Sequence, residues 1–105
     1  MKKIEIIKKC KGTIKRNAYQ ARIHDELQGL NFEIGMQRHH RDTANGKAFA
    51  AMEILKAIDE KIDVDELYED AVEEATQDIL KSNYNIEELL NCAGFNGSEY
   101  LKYTI

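Results

Sequence analysis

The stretch Ala48-Phe49-Ala50-Ala51-Met52-Glu53-Ile54-Leu55-Lys56-Ala57-Ile58-Asp59-Glu60-Lys61-Ile62 decides the fold class. Ala48, Ala51, Met52, Leu55, Ile58 and Ile62 recur at the spacing of one helical face, so the segment reads as an amphipathic helix. Downstream, Asp63 or Asp65 can cap a second helix over 65–82. Its inner face is Leu67 or Tyr68, Ala71, Ala75 and Ile79, and Asn83-Tyr84-Asn85 ends it. Asn85 with Glu88 three positions on is a capping box that opens a further helix carrying Ile86, Leu89 and Leu90. Gly94 suits the left-handed turn after it. Asn96-Gly97-Ser98 then starts a short last helix with Tyr100, Leu101 and Ile105 turned inward.

Upstream the pattern is less uniform. Asn45-Gly46 is a turn dipeptide, so residues 42–46 read as a loop or a helix start. Tyr19, Ile23, Leu27, Leu30 and Ile34 are spaced for one helical face, while Leu30, Phe32, Ile34 and Met36 alternate after Gly29 as a strand would. Both readings of residues 30–36 stand at this point. Ile4 and Ile6 alternate with polar neighbours and imply a short N-terminal strand over 3–8. Gly12 breaks it, and Thr13 is placed to cap a helix from Ile14, with His24 and Asp25 on its outer side.

The chain has 105 residues, 43% apolar, no proline and two cysteines. That describes a single, mainly α-helical domain over 1–105, in which a C-terminal pair of helices follows the central ones. So small a core is helped by dimerisation, and a homodimer is expected. Cys10 and Cys92 form no disulfide framework. No apolar run reaches membrane-spanning length, and Glu5 and Lys8-Lys9 interrupt any signal-peptide core after Met1-Lys2-Lys3. A soluble, cytoplasmic protein without membrane contact is expected.

Charge divides the chain. Residues 1–41 hold ten Lys or Arg against four acids, a balance of +6, and residues 42–105 hold five against fifteen, a balance of −10. A basic N-terminal part with the central helices (1–62) thus precedes an acidic C-terminal part (63–105). Such segregation fits a nucleic-acid surface or a self-complementary pairing of the two parts.

Helix 86–93, a glycine turn and helix 98–105 form a helix-turn-helix-like pattern, in which the second helix can present its outer side chains to a major groove. Residues 66–105 resemble the AraC-type transcriptional regulators. The resemblance rests on Gly94-Phe95, four intervening residues, Tyr100-Leu101 and a closing Ile105, with Ile86 and Leu89 upstream and Ile79-Leu80-Lys81-Ser82-Asn83-Tyr84 as the lead-in. Three features depart from that family. Leu90 stands where a small alanine is usual, Tyr103 replaces a basic residue, and one motif is present rather than two. The resemblance implies a duplex-DNA-binding regulator that contacts bases and phosphates through Asn96, Ser98, Glu99 and Lys102. Lys8, Lys9, Lys15 and Arg16 would add sequence-independent affinity for phosphate.

Arg38-His39-His40-Arg41 is the densest cationic cluster and a candidate anion or phosphate-ligand site. The acidic face of Glu66, Glu69, Asp70, Glu73 and Glu74 is a candidate surface for a basic protein partner, such as a nucleic-acid enzyme. Small phage and mobile-element inhibitors are similar in size and charge. No metal-ligand spacing, phosphate loop or nucleophile motif is present, so no metal, cofactor, catalytic residue or enzymatic activity is expected. A DNA-binding regulator is the first expectation, and a non-enzymatic modulator or inhibitor that binds a protein is the alternative.

Overall fold

A computed structural model describes residues 2–103, which form five helices and no strand. They are α1 (Lys3–Gly29), α2 (Ile34–Ile58), α3 (Val64–Ser82), α4 (Ile86–Cys92) and α5 (Gly97–Lys102). Ile105, the expected closing apolar residue, lies outside the described residues. No helix among them is long and apolar enough to cross a membrane.

α1 is the spine. α2 returns antiparallel along it, so that His24 meets Gln37 near one end, while Cys10 and Ile14 share a core with Met52 and Leu55 at the other. α3 runs parallel to α1, with Val64 in the same core as Cys10 and Asp78 beside Tyr19. α2 and α3 meet each other chiefly through α1. The first core joins Cys10, Ile14, Ala51, Met52, Leu55 and Val64. The second joins Ile23, Leu27, Ala75, Leu89, Leu90 and Ala93, because α4 and α5 fold back over the C-terminal half of α1.

The expected N-terminal strand is a helix. Residues 3–8 open α1, and Ile4, half of the alternating pattern, is 72% exposed. What buries is Ile6, Ile7, Cys10 and Ile14, a helical set that packs against α2 and α3. A lone strand would leave its backbone groups without partners, whereas a helix satisfies its own. For the same reason Gly12 and Thr13 do not start a helix but lie inside one. Gly46 likewise sits within α2, between buried Ala44 and Ala48. A mid-helix glycine costs only about 1 kcal/mol against alanine, less than the packing of its neighbours returns.

Residues 30–36 are neither one long helix nor a strand. α1 ends at Gly29, and a tight turn follows in which Asn31 (φ 60°) and Glu33 (φ 42°) adopt left-handed backbone. The Phe32 amide donates to the Leu27 carbonyl at 3.0 Å. Ile34 then starts α2. Of the alternating residues only Phe32 packs inward, while Leu30, Ile34 and Met36 stay exposed.

The downstream helices begin and end where their side chains dictate. The Asp63 carboxylate accepts the Glu66 amide at 3.0 Å and caps α3. Asn83 ends it in left-handed backbone. Asn85 and Glu88 cap α4 reciprocally, at 2.8 and 3.2 Å. Gly94 (φ 93°) makes the turn, and the Asn96 side chain accepts the Glu99 amide to start α5.

Candidate functional site

Consecutive residues on a helix are 100° apart, so Lys8, Gly12, Lys15, Arg16, Tyr19, Ile23 and Leu27 lie on one stripe of α1. Its C-terminal half is apolar and packed in the second core. Its N-terminal half is basic and exposed. Beside it runs an open groove between α1 and α2, lined by Lys9, Thr13, Arg16, Lys47, Ala50 and Ile54 and of about 470 Å³. Gln20 also lines the groove, and a Cβ on Gly94 would come within 2.9 Å of its Nε2, so the α4–α5 turn closes the upper end.

Lys8, Lys9 and Arg16 line one open surface of α1, and Lys15 is exposed on the same helix outside that lining. Lys47 of α2, absent from the sequence-based set, joins them across the groove. None of these five cations makes an ion pair or hydrogen bond with another described residue, unlike Arg22 and Arg41. Lys47 was legible only once Gly46 was known to be helical.

Asn96, Ser98, Glu99 and Lys102 are exposed at α5. Asn96 uses its side-chain oxygen on the Glu99 amide and the Ser98 hydroxyl, which leaves its NH2 group outward. Ser98, Glu99 and Lys102 are on a helix of six residues whose opposite side holds Tyr100 against α2.

Arg38, His39, His40 and Arg41 occupy the interior of α2 and do not converge. Arg41 ion-pairs with Asp25 at 3.0 Å and with Asp42 at 3.2 Å. His40 turns inward to the Tyr100 hydroxyl at 3.3 Å and to the ring of Phe95 at 5.0 Å. Arg38 and His39 point to solvent.

His24, expected on an outer face, is buried at 3% exposure. Its Nδ1 lies 2.7 Å from the Gln37 side-chain oxygen, and Gln37 donates onward to the Tyr100 hydroxyl at 3.1 Å. Tyr100 in turn donates to Glu33 at 2.7 Å. This chain fastens α5 to α1 and α2 and leaves no described buried side-chain polar atom unsatisfied. Burial lowers the His24 pKa, against the opposing hydrogen bond to the Gln37 oxygen, and lowers that of His40. Burial and the bond to Glu33 push the Tyr100 hydroxyl up to about 12. The signal for this network is Gln37, a polar residue in line with Ala44, Ala48, Ala51 and Leu55 on the buried face of α2.

Glu66, Glu69, Asp70, Glu73 and Glu74 are all exposed on α3, and none makes an ion pair with another described residue. Beside α3, a second groove is lined by Lys11, Glu66, Leu67 and Asp70. Lys9 and Lys11 are about 200° apart around α1. The α1–α2 groove with Lys9 and Arg16 and the acidic side of α3 therefore flank the spine on opposite sides, while Lys8 and Lys15 lie one turn from Lys11, toward α3. Among the described residues no group of three or more His, Cys, Asp or Glu is placed to hold a metal ion. No family model matches the chain, and the comparisons with curated proteins and with solved structures return no match.

Proposed function

We propose that the chain is a small regulatory protein that binds duplex DNA through the basic flank of α1. The observation that carries this reading is the set of exposed cations Lys8, Lys9, Lys15 and Arg16, without ion pairs among the described residues, continued across the groove by Lys47 and ending at the α4–α5 turn. Cations without partners among the described residues keep their attraction for phosphate, and the α3 acids lie away from the groove, with Glu5 the one acid that lines the basic row itself. In this reading α4 and α5 act as a helix-turn-helix-like pair. Its resemblance to AraC-type regulators belongs to the proposal. Lys102 takes a phosphate, the Asn96 NH2 and Ser98 take base edges or phosphates, and Glu99 accepts from cytosine.

Fluorescence anisotropy of a labelled duplex, read at several salt concentrations, tests it. Affinity falls with salt, with a log–log slope approaching about −5.4 if these five cations and Lys102 all meet phosphates. Each Lys→Ala change among them reduces the slope by about 1. No binding at low salt removes the reading.

A second reading, a modulator that presents α3 to a basic protein, is favoured by the exposure of Glu66, Glu69, Asp70, Glu73 and Glu74, none of which ion-pairs with another described residue. It expects a specific protein complex that Lys substitutions on this face abolish while DNA binding is unaffected.

A further inference from the structure

The molecule carries two exposed surfaces of opposite charge, and the same seven-residue interval occurs in both. Lys9 and Arg16 are seven residues apart on α1, and Glu66 and Glu73 are seven apart on α3. Both intervals are close to two helical turns, about 10.5 Å of rise. Lys47 faces Arg16 from α2 at the upper end of the groove, and Glu69 stands beside Glu66 on the same side of α3. The groove therefore has one cation at one end and two at the other, and among the five exposed acids of the α3 face Glu73 and the Glu66–Glu69 pair offer the matching set, with Asp70 and Glu74 beside them. The groove floor between the cations is Thr13, Ala50 and Ala51, short side chains that let a helix approach.

We propose that the α1–α2 groove docks α3 of a second copy of this chain. α3 of the second copy lies antiparallel to α1, with Glu73 at Lys9 and the Glu66–Glu69 pair between Arg16 and Lys47. This register gives every one of the six charges a partner of opposite sign, whereas among the described residues of one chain none has one. The inference stands independently of DNA binding, because it concerns the protein alone. It also has a consequence for that function. The groove and the acidic face lie on opposite flanks of α1, so the contact is head-to-tail and does not close on itself. Copies add in a row, each covering the next one's basic groove, and a phosphate backbone competes with the neighbouring copy for the same cations.

Sedimentation of the full chain without DNA, at low and high salt over a range of concentrations, reads the association directly. At low salt the weight-average mass rises with concentration above the 12.1 kDa of one chain, and high salt returns it to that value. Two triple variants locate the surfaces: Lys9→Glu with Arg16→Glu and Lys47→Glu, and Glu66→Lys with Glu69→Lys and Glu73→Lys. All six positions are exposed, and circular dichroism checks that both variants keep their helices. Each variant alone sediments as a single chain, since its two surfaces now carry the same sign. An equimolar mixture recovers the association, because each restores the other's complement. A wild-type chain that remains monomeric at low salt overturns the proposal. So does association that survives either triple change, or a mixture that stays monomeric. Loss of DNA binding with association intact removes the functional reading and leaves this one standing.

Discussion

The two halves of α1 present the same stripe with opposite fates. From Tyr19 through Ile23 to Leu27 the stripe is apolar and lies in a core with α3 and α4. From Lys8 through Gly12 to Arg16 it is basic and open. α4 and α5 are too short to be stable alone, since isolated helices need about 12–15 residues even with favourable sequences. They form where the apolar half of α1 gives them a surface, and they stop where it becomes charged. The two halves thus differ along this stripe alone, since Cys10 and Ile14 hold another face of the N-terminal half in the first core. The sharpest way to break this division is Leu27→Ala against Arg16→Ala in urea denaturation. Leu27 is fully buried, and its truncation is expected to cost about 2–5 kcal/mol. Arg16→Ala is expected to stay within about 0.5 kcal/mol, as exposed substitutions do. A comparable loss from Arg16→Ala would make the open half structural.

Gly97→Ala is the next largest expected effect and probes the join of α4 and α5. The Gly97 amide donates to the Asn91 side chain at 2.7 Å, and a Cβ there would run into the Glu87 carbonyl oxygen. Backbone cannot yield as a flexible side chain does, so the two short helices must separate. Overpacking of this kind costs about 1–3 kcal/mol. Amide hydrogen exchange should show protection lost in α5 first, with the N-terminal half of α1 unchanged.

A smaller effect comes from pH, and it too should localise to the closed half. Burial lowers the His24 pKa, opposed by the hydrogen bond with Gln37 and by Asp25 and reinforced by His40. Burial lowers His40 as well, with His39 reinforcing and Glu33 opposing. A folded-state pKa below the unfolded one means that the unfolded chain takes up the proton first. Stability is therefore complete above the ordinary histidine value, near 6.5, and falls as the pH drops below it. His24→Gln should flatten that fall in urea midpoints measured between pH 7 and about 5. An unchanged slope would show that His24 does not report on the join with α5.

How much of this was legible follows from where the information sits. Caps are local: Asp63, Asn85 with Glu88, Gly94 and Asn96 mark their helix ends through bonds a few residues long, so the sequence points to Asn85 with Glu88 and to Gly94 directly, to Asp63 as one of two candidates, and to Asn96 within a three-residue stretch. The α1–α2 turn is not local in that sense. Asn31 and Glu33 adopt left-handed backbone that neither residue type demands, and only the docking of α2 on α1 makes it worthwhile. Gly12 and Gly46 misled for the same reason, since their helices are held by distant partners. The basic residues of α1 were found because they are consecutive in sequence. Lys47, His24 and Gln37 were not, because their roles depend on which faces of α1 and α2 meet.

The mildest prediction returns to the open half and separates fold from function at one atom. Gly12 lies mid-helix between Lys8 and Arg16 in the basic groove, and a Cβ there meets nothing within 4 Å. Gly12→Ala should therefore stabilise the chain by about 0.5–1 kcal/mol, the ordinary gain from removing a helical glycine. The added methyl group would enter the groove lined by Lys8, Lys9 and Arg16, the face proposed to meet DNA. If DNA lies against this face, the same change weakens binding while raising the urea midpoint. A variant that gains stability and binds as before would place the DNA on the rim at Lys8 and Lys15, away from the helix backbone. One that loses stability would mean that α1 is not a continuous helix at Gly12, and the stripe that joins the two halves would not exist.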